Sequence, residues 1–268
     1  MTFDFARLVR RLETAQALQS RSFLLAAQRH SPEALALHGR WGFAQFFAEG
    51  HFLNQALALG LSGPVATAQL DRIEVLLGQG GHPVVLELAP TASPELPCLL
   101  AERGYCIQAF QQVLAQTLQP RSSGAIPVWD PRVTVRSITA QDMAIWRQVV
   151  QAGFEERDEL DAAEEAAPGF SAEAEGNHFL LALVDGQPAG AAVLGCFNKV
   201  GVFSGTSVLP RYRGLGAQRA LVAARLILAR DAGCRWACTA VLPGTASQAN
   251  LERCGFRVAY PKLEMALS

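Results

Sequence analysis

The sequence predicts a mixed α/β fold, an α+β mixed sheet built as two related units in tandem. Three observations carry this. Short strand-type runs alternate with amphipathic helical stretches along the whole chain. A segment of the first half, Leu88-Ala-Pro-Thr-Ala-Ser-Pro followed by Leu100-Ala-Glu-Arg-Gly-Tyr105, parallels one in the second, Val241-Leu-Pro-Gly-Thr-Ala-Ser followed by Leu251-Glu-Arg-Cys-Gly-Phe256. Between the halves, the stretch QPRSSGAIPVWDPR combines three prolines with Ser-Ser-Gly and reads as a linker. The expected domains are therefore 1–118 and 132–268, joined by 119–131.

In chain order, Leu8, Leu12, Ala15 and Leu18 follow helical spacing, which predicts a helix over 5–28, closed by Ser31-Pro32. A hairpin is expected over 34–37 and 41–47, turning at His38-Gly39, with a further strand over 52–61. Thr67 is placed to cap a helix ending at Leu77, before Gly78 and Gly80-Gly81. A buried strand over 84–88 and a helix over 93–103, closed by Gly104, come next, with Pro97 able to delay that helix's start. One or two strands fill 105–118. The second half opens with a strand over 133–138 and a helix over 140–153. An acidic stretch, 155–175, is expected to be partly helical. Strands over 179–184 and 189–196 flank Asp185-Gly186, a hairpin signal. A strand over 200–209, a glycine turn and a helix over 217–232 follow, the helix burying Ala217, Leu221, Ala224 and Leu228 and ending at Gly233. A strand over 235–242, a short helix over 247–253 and a last strand or pair over 257–267 complete the pattern.

Composition narrows the function classes. Half of the 268 residues are hydrophobic, and the net charge is −1, so no global charge points to nucleic acid or an anionic membrane. The six cysteines include no Cys-x-x-Cys pair, and Cys234 and Cys238 have no nearby histidine to complete a metal set. They read as reduced thiols of a cytoplasmic protein that holds no metal. The first residues form no signal peptide, and no apolar run has membrane-spanning length.

The informative stretch is the turn after the strand ending at Leu209. Gly214 and Gly216 let the backbone approach a ligand closely, and a helix opens at Ala217. The first N–H groups of a helix have no intrahelical partner and carry partial positive charge, which suits an anion such as phosphate. Arg211, Arg213 and Arg219 crowd this end, where cations oppose the helix dipole, and no Asp or Glu lies between Gly186 and Arg230. A bound polyanion reconciles that arrangement.

Arg211-Tyr-Arg-Gly-Leu-Gly216, after a strand and before a helix, resembles the coenzyme A pyrophosphate loop of the GNAT superfamily of N-acetyltransferases. Arg211, Gly214 and Gly216 fill the fixed places of that family's Arg/Gln-x-x-Gly-x-Gly/Ala pattern. Asn250-Leu-Glu-Arg-Cys-Gly-Phe256 resembles the family's second signature, and the resemblance covers roughly 132–268. It implies tandem GNAT-like acyl-CoA N-acyltransferase units. The first is degenerate, since its corresponding turn, Leu59-Gly-Leu-Ser-Gly-Pro64, lacks arginine and loses an N–H at Pro64. It further implies acetyl-CoA as cosubstrate and a small-molecule or protein primary amine as acceptor, attacked directly in a ternary complex. The backbone near Ser207, Val208 and Leu209 would bond the pantetheine and polarise the thioester carbonyl. The main chain from Arg211 through Arg213, Gly214, Leu215, Gly216, Ala217 and Gln218 would hold the pyrophosphate, with Ser247 and Asn250 as further coenzyme contacts.

The attacking amine must be neutral, and a lysine-like amine has a pKa of about 10.4, so a base or a water chain is needed. Glu155 and Glu156 are the candidates, with Asp158, Glu159, Asp161, Glu164, Glu165 and His178 as other possibilities; as a group the acids favour a cationic acceptor. The family's usual acid, a tyrosine, is replaced by Leu251. Tyr260 is the substitute favoured here, with Tyr212, Ser247 and Cys254 behind it. That loss leaves an alternative, a non-catalytic acyl-CoA sensor. A dinucleotide-binding oxidoreductase is disfavoured, because Arg219 stands where its fingerprint needs a third glycine.

Overall fold

A computed structural model of the protein describes residues 4–118, 130–160 and 172–267. The expected linker core, 119–129, and the acidic residues Asp161, Glu164 and Glu165 lie outside them. Contacts divide the chain into two compact units. One comprises the residues up to Val113 together with those from Val258 on; the other runs from Leu114 to Arg257.

In the first unit, α1 (Phe5–Gln28) starts where the Asp4 carboxylate accepts from the Arg7 N–H. The hairpin β1 (Leu35–Gly39) and β2 (Gly42–Phe46) pairs Leu35 with Phe46 and turns at Arg40-Trp41, two residues beyond the expected His38-Gly39. Strand β3 (Gln55–Leu57) is shorter than 52–61, because Ala58 and Gly60 take positive φ and Gly60 donates to the Trp41 carbonyl. Helix α2 (Thr67–Leu77) is preceded by Ala66, not capped by Thr67; Gln69 reaches back to accept from the Ala66 N–H at 2.6 Å. Strand β4 (Val84–Leu88) runs parallel to β3, and α3 (Leu96–Glu102) starts three residues later than expected, with Pro97 in its first turn. Leu70, Ile73 and Leu77 of α2 and Leu96 and Leu100 of α3 pack with Ala44, Phe46, Leu86 and Leu88. Gln45, between those β2 residues, faces the other way and bonds Ser20 of α1.

The strand beside β4 in this unit comes from the far end of the sequence. β11 (Arg257–Leu267) pairs with it antiparallel, Leu88 opposite Leu263 and Val84 opposite Leu267. The 132–268 limit expected for the second domain is therefore not the limit of the contact unit, since strand pairing carries 258–267 into the first. β11 brings Lys262 into a fully buried cluster. Its Nζ lies 2.6 Å from Glu87 and 3.5 Å from Glu13, and Tyr260 donates to Glu13 at 2.7 Å. Burial pushes the Glu13 carboxyl up, although Lys262 pulls against it; burial lowers Lys262, and the two carboxylates more than offset that.

The second unit is built on antiparallel β6 (Val133–Ser137), β7 (Asn177–Val184), β8 (Gln187–Phe197) and β9 (Val200–Val208), with β10 (Trp236–Val241) parallel to β9. The strand beyond β10 is the end of β5 (Cys106–Thr117), a strand of the first half of the sequence; Leu118 donates to Arg235 at 2.9 Å. Helix α4 (Met143–Phe154), entered through a short 3-10 turn, stacks Trp146 edge-on against Phe179. Helix α5 (Ala217–Asp231) packs Leu221 and Val222 with Leu180 and Ala182. Because successive β7 residues point to opposite faces, α4 and α5 cover opposite sides of this sheet. Helix α6 (Ala246–Arg253) follows β10, with Thr245 as its N-cap. No helix among the described residues is long and apolar enough to cross a membrane.

Candidate active site

The site is built where β9 hands the chain to α5. The ladder between the parallel strands β9 and β10 covers Val200 to Val202 opposite Trp236 to Cys238, and Thr239 then donates to the Phe203 carbonyl at 2.9 Å. Strand β9 continues through residues 203–208 with no paired strand on that side among the described residues. An opening at the carboxyl ends of parallel strands is where an open α/β sheet receives ligands. At its end, Leu209 donates to Ala189 of β8 at 2.9 Å. N–H groups alternate between edges along a strand, so the N–H of Val208 turns to the open edge. Ser207 turns inward, donating to the Val149 carbonyl at 3.1 Å, and a Cβ at Gly153 would lie 2.7 Å from its Cβ. Leu209 is fully buried.

The loop itself has the expected conformation. Gly214 and Gly216 take φ of +82° and +91°, and Gly216 is the N-cap of α5 with no side chain capping it. A Cβ built at Gly214 meets nothing within 4 Å, so the space over the loop is open. Leu215 accepts from Asp130. The Arg211 guanidinium lies 5.0 Å over the Tyr212 ring. Asn250 donates to Gln218 and accepts from Arg253, so α6 holds the first turn of α5. Ser247 sits half-buried in the first turn of α6.

Sequence separation hid what sits on this loop. Asp158 accepts from the Arg211 N–H at 2.9 Å, and Glu156 forms a two-point ion pair with Arg213, which also donates to the Val208 carbonyl. A carboxylate thus already occupies a loop amide. Glu156 adopts φ +58°, unusual for a side-chain-bearing residue. These acids follow α4 without the expected helix, at least over 155–160.

The catalytic candidates fare differently. Hydrogen bonds from Arg157 and Gln151 hold Glu155 below the usual carboxylate range, and Arg213 does the same to Glu156. A general base works best with its pKa near the working pH, so both are poor bases. Tyr260 is not among the loop residues: it belongs to the first unit, buried, with its hydroxyl committed to Glu13. Leu251 lies in the core, and burial raises the Cys254 thiol, keeping it protonated. His178 is exposed on β7.

Residues 142–256 match the model of the acetyltransferase (GNAT) family. An aminoglycoside N(6')-acetyltransferase type 1 from Stenotrophomonas maltophilia is 35% identical over a match covering 38% of this chain and 71% of that protein. Among solved structures, a GCN5-related N-acetyltransferase from Kribbella flavida aligns over 96% of this chain and 95% of its own at TM-score 0.67 and 18% identity. A tandem GNAT protein from the clavulanic acid biosynthesis pathway aligns over 97% and 94% at TM-score 0.62 and 16% identity. Both share the fold of this chain over nearly its whole length.

Proposed function

Because the chain belongs to the GNAT acetyltransferase family, a family of acyltransferases, we propose that it transfers an acetyl group from acetyl-CoA to the primary amine of a cationic acceptor, by direct attack in a ternary complex. Acetyl-CoA supplies the acetyl group activated as a thioester. The observation that carries the reading is the α5 entrance. A helix start without a side-chain cap, open space over Gly214, two flanking arginines and an amide that already takes a carboxylate fit a diphosphate.

In this reading the N–H groups opening α5, with Arg211 and Arg213, bind the diphosphate, and Gln218 is held ready by Asn250. The Val208 N–H, directed to the unpaired edge, donates to the thioester carbonyl and polarises it. Glu155 and Glu156, held below the usual carboxylate range by their arginine partners, remain ionised and draw a cationic amine to the mouth of the opening instead of taking its proton, which passes to water. A small polyamine of the aminoglycoside kind is the first acceptor to try, since the curated relative carries that name.

The test pairs binding with turnover. Gly216→Asp with Arg213→Glu places two negative charges on the loop. Calorimetry should find coenzyme binding abolished, while circular dichroism shows an unchanged fold; unchanged affinity would refute the site. Thiol release from acetyl-CoA across a panel of amines should show steady turnover with at least one of them.

A further inference from the structure

Arg225 is the feature of the second unit that the reaction scheme above leaves unused. It lies on the buried side of α5, 1% exposed, with its guanidinium 4.3 Å over the Phe203 ring. No carboxylate among the described residues bonds it. Its donors go to three oxygens: Nε to the Leu221 carbonyl one turn back in α5 at 3.2 Å, and Nη1 to the Val193 carbonyl at 3.2 Å and the Thr206 hydroxyl at 2.8 Å. Burial pulls its pKa down to about 9. An uncompensated buried charge is costly, and an apolar side chain of similar volume at such a place is commonly neutral or stabilising. Stability alone does not account for it.

Its partners say what it holds. Between β8 and β9 the register shifts by one: Ala191 faces Ser207, but Val193 faces Ser204. The extra residue is on β9, at Gly205-Thr206, where Gly205 takes φ +53°. This is a β-bulge, and the ladder is locally broken there. Val193 is on one strand at the shift and Thr206 on the other, and a single guanidinium nitrogen bridges them. Beyond the bulge, each residue's edge and face depend on the register being kept, since a slip of one residue reverses both. Val208, two residues past Thr206, is the residue whose N–H must face the open edge.

We propose that Arg225 is a positioning residue for acetyl transfer: by clamping the β9 bulge through Thr206 and Val193 it fixes the direction of the Val208 N–H. The inference rests on the coenzyme reading given above. Arg225 touches no reacting atom and acts through the strand.

The test is a cycle of Thr206→Val, Thr206→Ser, Arg225→Met and the double variant Arg225→Met/Thr206→Val in the full chain. Acetyl-CoA affinity is read by calorimetry, kcat by thiol release with the amine that turns over in the panel, and melting by circular dichroism. Thr206→Val should lower kcat about 10- to 100-fold, the scale of a misplacement of about 1 Å, with coenzyme affinity and melting temperature little changed. Thr206→Ser, which restores the hydroxyl, should recover most of the loss. The double variant should be no slower than Arg225→Met, because both changes break one clamp. If Arg225→Met does not fold, the Thr206 pair decides alone. A kcat for Thr206→Val within about twofold of the unaltered protein, or full additivity in the cycle, overturns the proposal while the coenzyme reading stands. Failure of the unaltered protein to bind acetyl-CoA overturns both, and is seen before any variant is made.

Discussion

Lys262→Met removes the one ammonium from a cluster in which two carboxylates are almost fully buried. Methionine keeps the length and most of the volume, so the change is electrostatic more than steric. Removing one partner of a buried pair costs about 3–5 kcal/mol, because the charge left behind has no compensation. At about 2–4 °C per kcal/mol for a chain of this size, the melting temperature should fall by about 6–20 °C. The pH dependence has a definite sign. Lys262 sits above its usual value, so its stabilisation is complete below about 10.5 and is lost only as pH rises through the folded value. Glu13 is also raised, so its contribution is present below about 4.5 and lost as pH climbs through its own folded value. Without the ammonium that pulls Glu13 down, its proton is held more tightly still. The deficit of the variant should therefore shrink on going from pH 8 to pH 5, by at most about 1.4 kcal/mol per pH unit for each proton involved. Urea unfolding at the two pH values, followed by circular dichroism, measures this. Glu13→Leu/Glu87→Leu/Lys262→Met should recover much of the loss, since an apolar replacement of the whole cluster leaves no stranded charge. A loss under about 1 kcal/mol at both pH values, or a triple variant no better than the single one, would contradict the reasoning.

Further outcomes follow from the site. Glu156→Gln/Asp158→Asn removes the carboxylates that compete for the α5 loop, so calorimetry should show severalfold tighter acetyl-CoA binding, with the gain fading as salt is raised; weaker binding would mean these acids assist the coenzyme. Gly153→Val pushes a side chain onto Ser207, 2.7 Å from a Cβ at that position, and should cost about 1–3 kcal/mol in thermal melts. Glu155 and Glu156 are held below 4.5, so neither titrates between pH 6 and 9. With an acceptor amine of pKa about 10.4, kcat/KM should climb about tenfold per pH unit across that range, and a plateau near pH 7 would reveal an enzymatic base instead.

What could be read from the sequence was whatever is local. The bounds of α1 and β4 and the end of α2 follow from hydrophobic spacing and from glycine or proline stops, and they coincide with those observed. The loop from Arg211 to Gln218 is contiguous, so its geometry followed from its own glycines. Contacts between distant segments were not legible. Glu156 and Asp158 reach the loop from more than 50 residues away, and nothing in their acidic stretch says which of them does so. Tyr260 looked available until strand pairing enclosed it with Glu13. Arg225 follows Leu221 by one helical turn on an apolar stripe, and nothing in that spacing tells a buried arginine from an exposed one. Gly205, inside a strand pattern, is the mark that points to a bulge.

The exchange of strands has a consequence for biosynthesis. The first unit waits for β11, which leaves the ribosome only after nearly all of the second unit has been made. Until then the β4 edge is unpaired and Glu13 and Glu87 have no counter-ion, so a nascent first unit is an open-edged intermediate of the kind that chaperones hold. The second unit, by contrast, has its borrowed strand β5 to hand from the start. Its completion can precede that of the segment translated before it, reversing the usual N-to-C order.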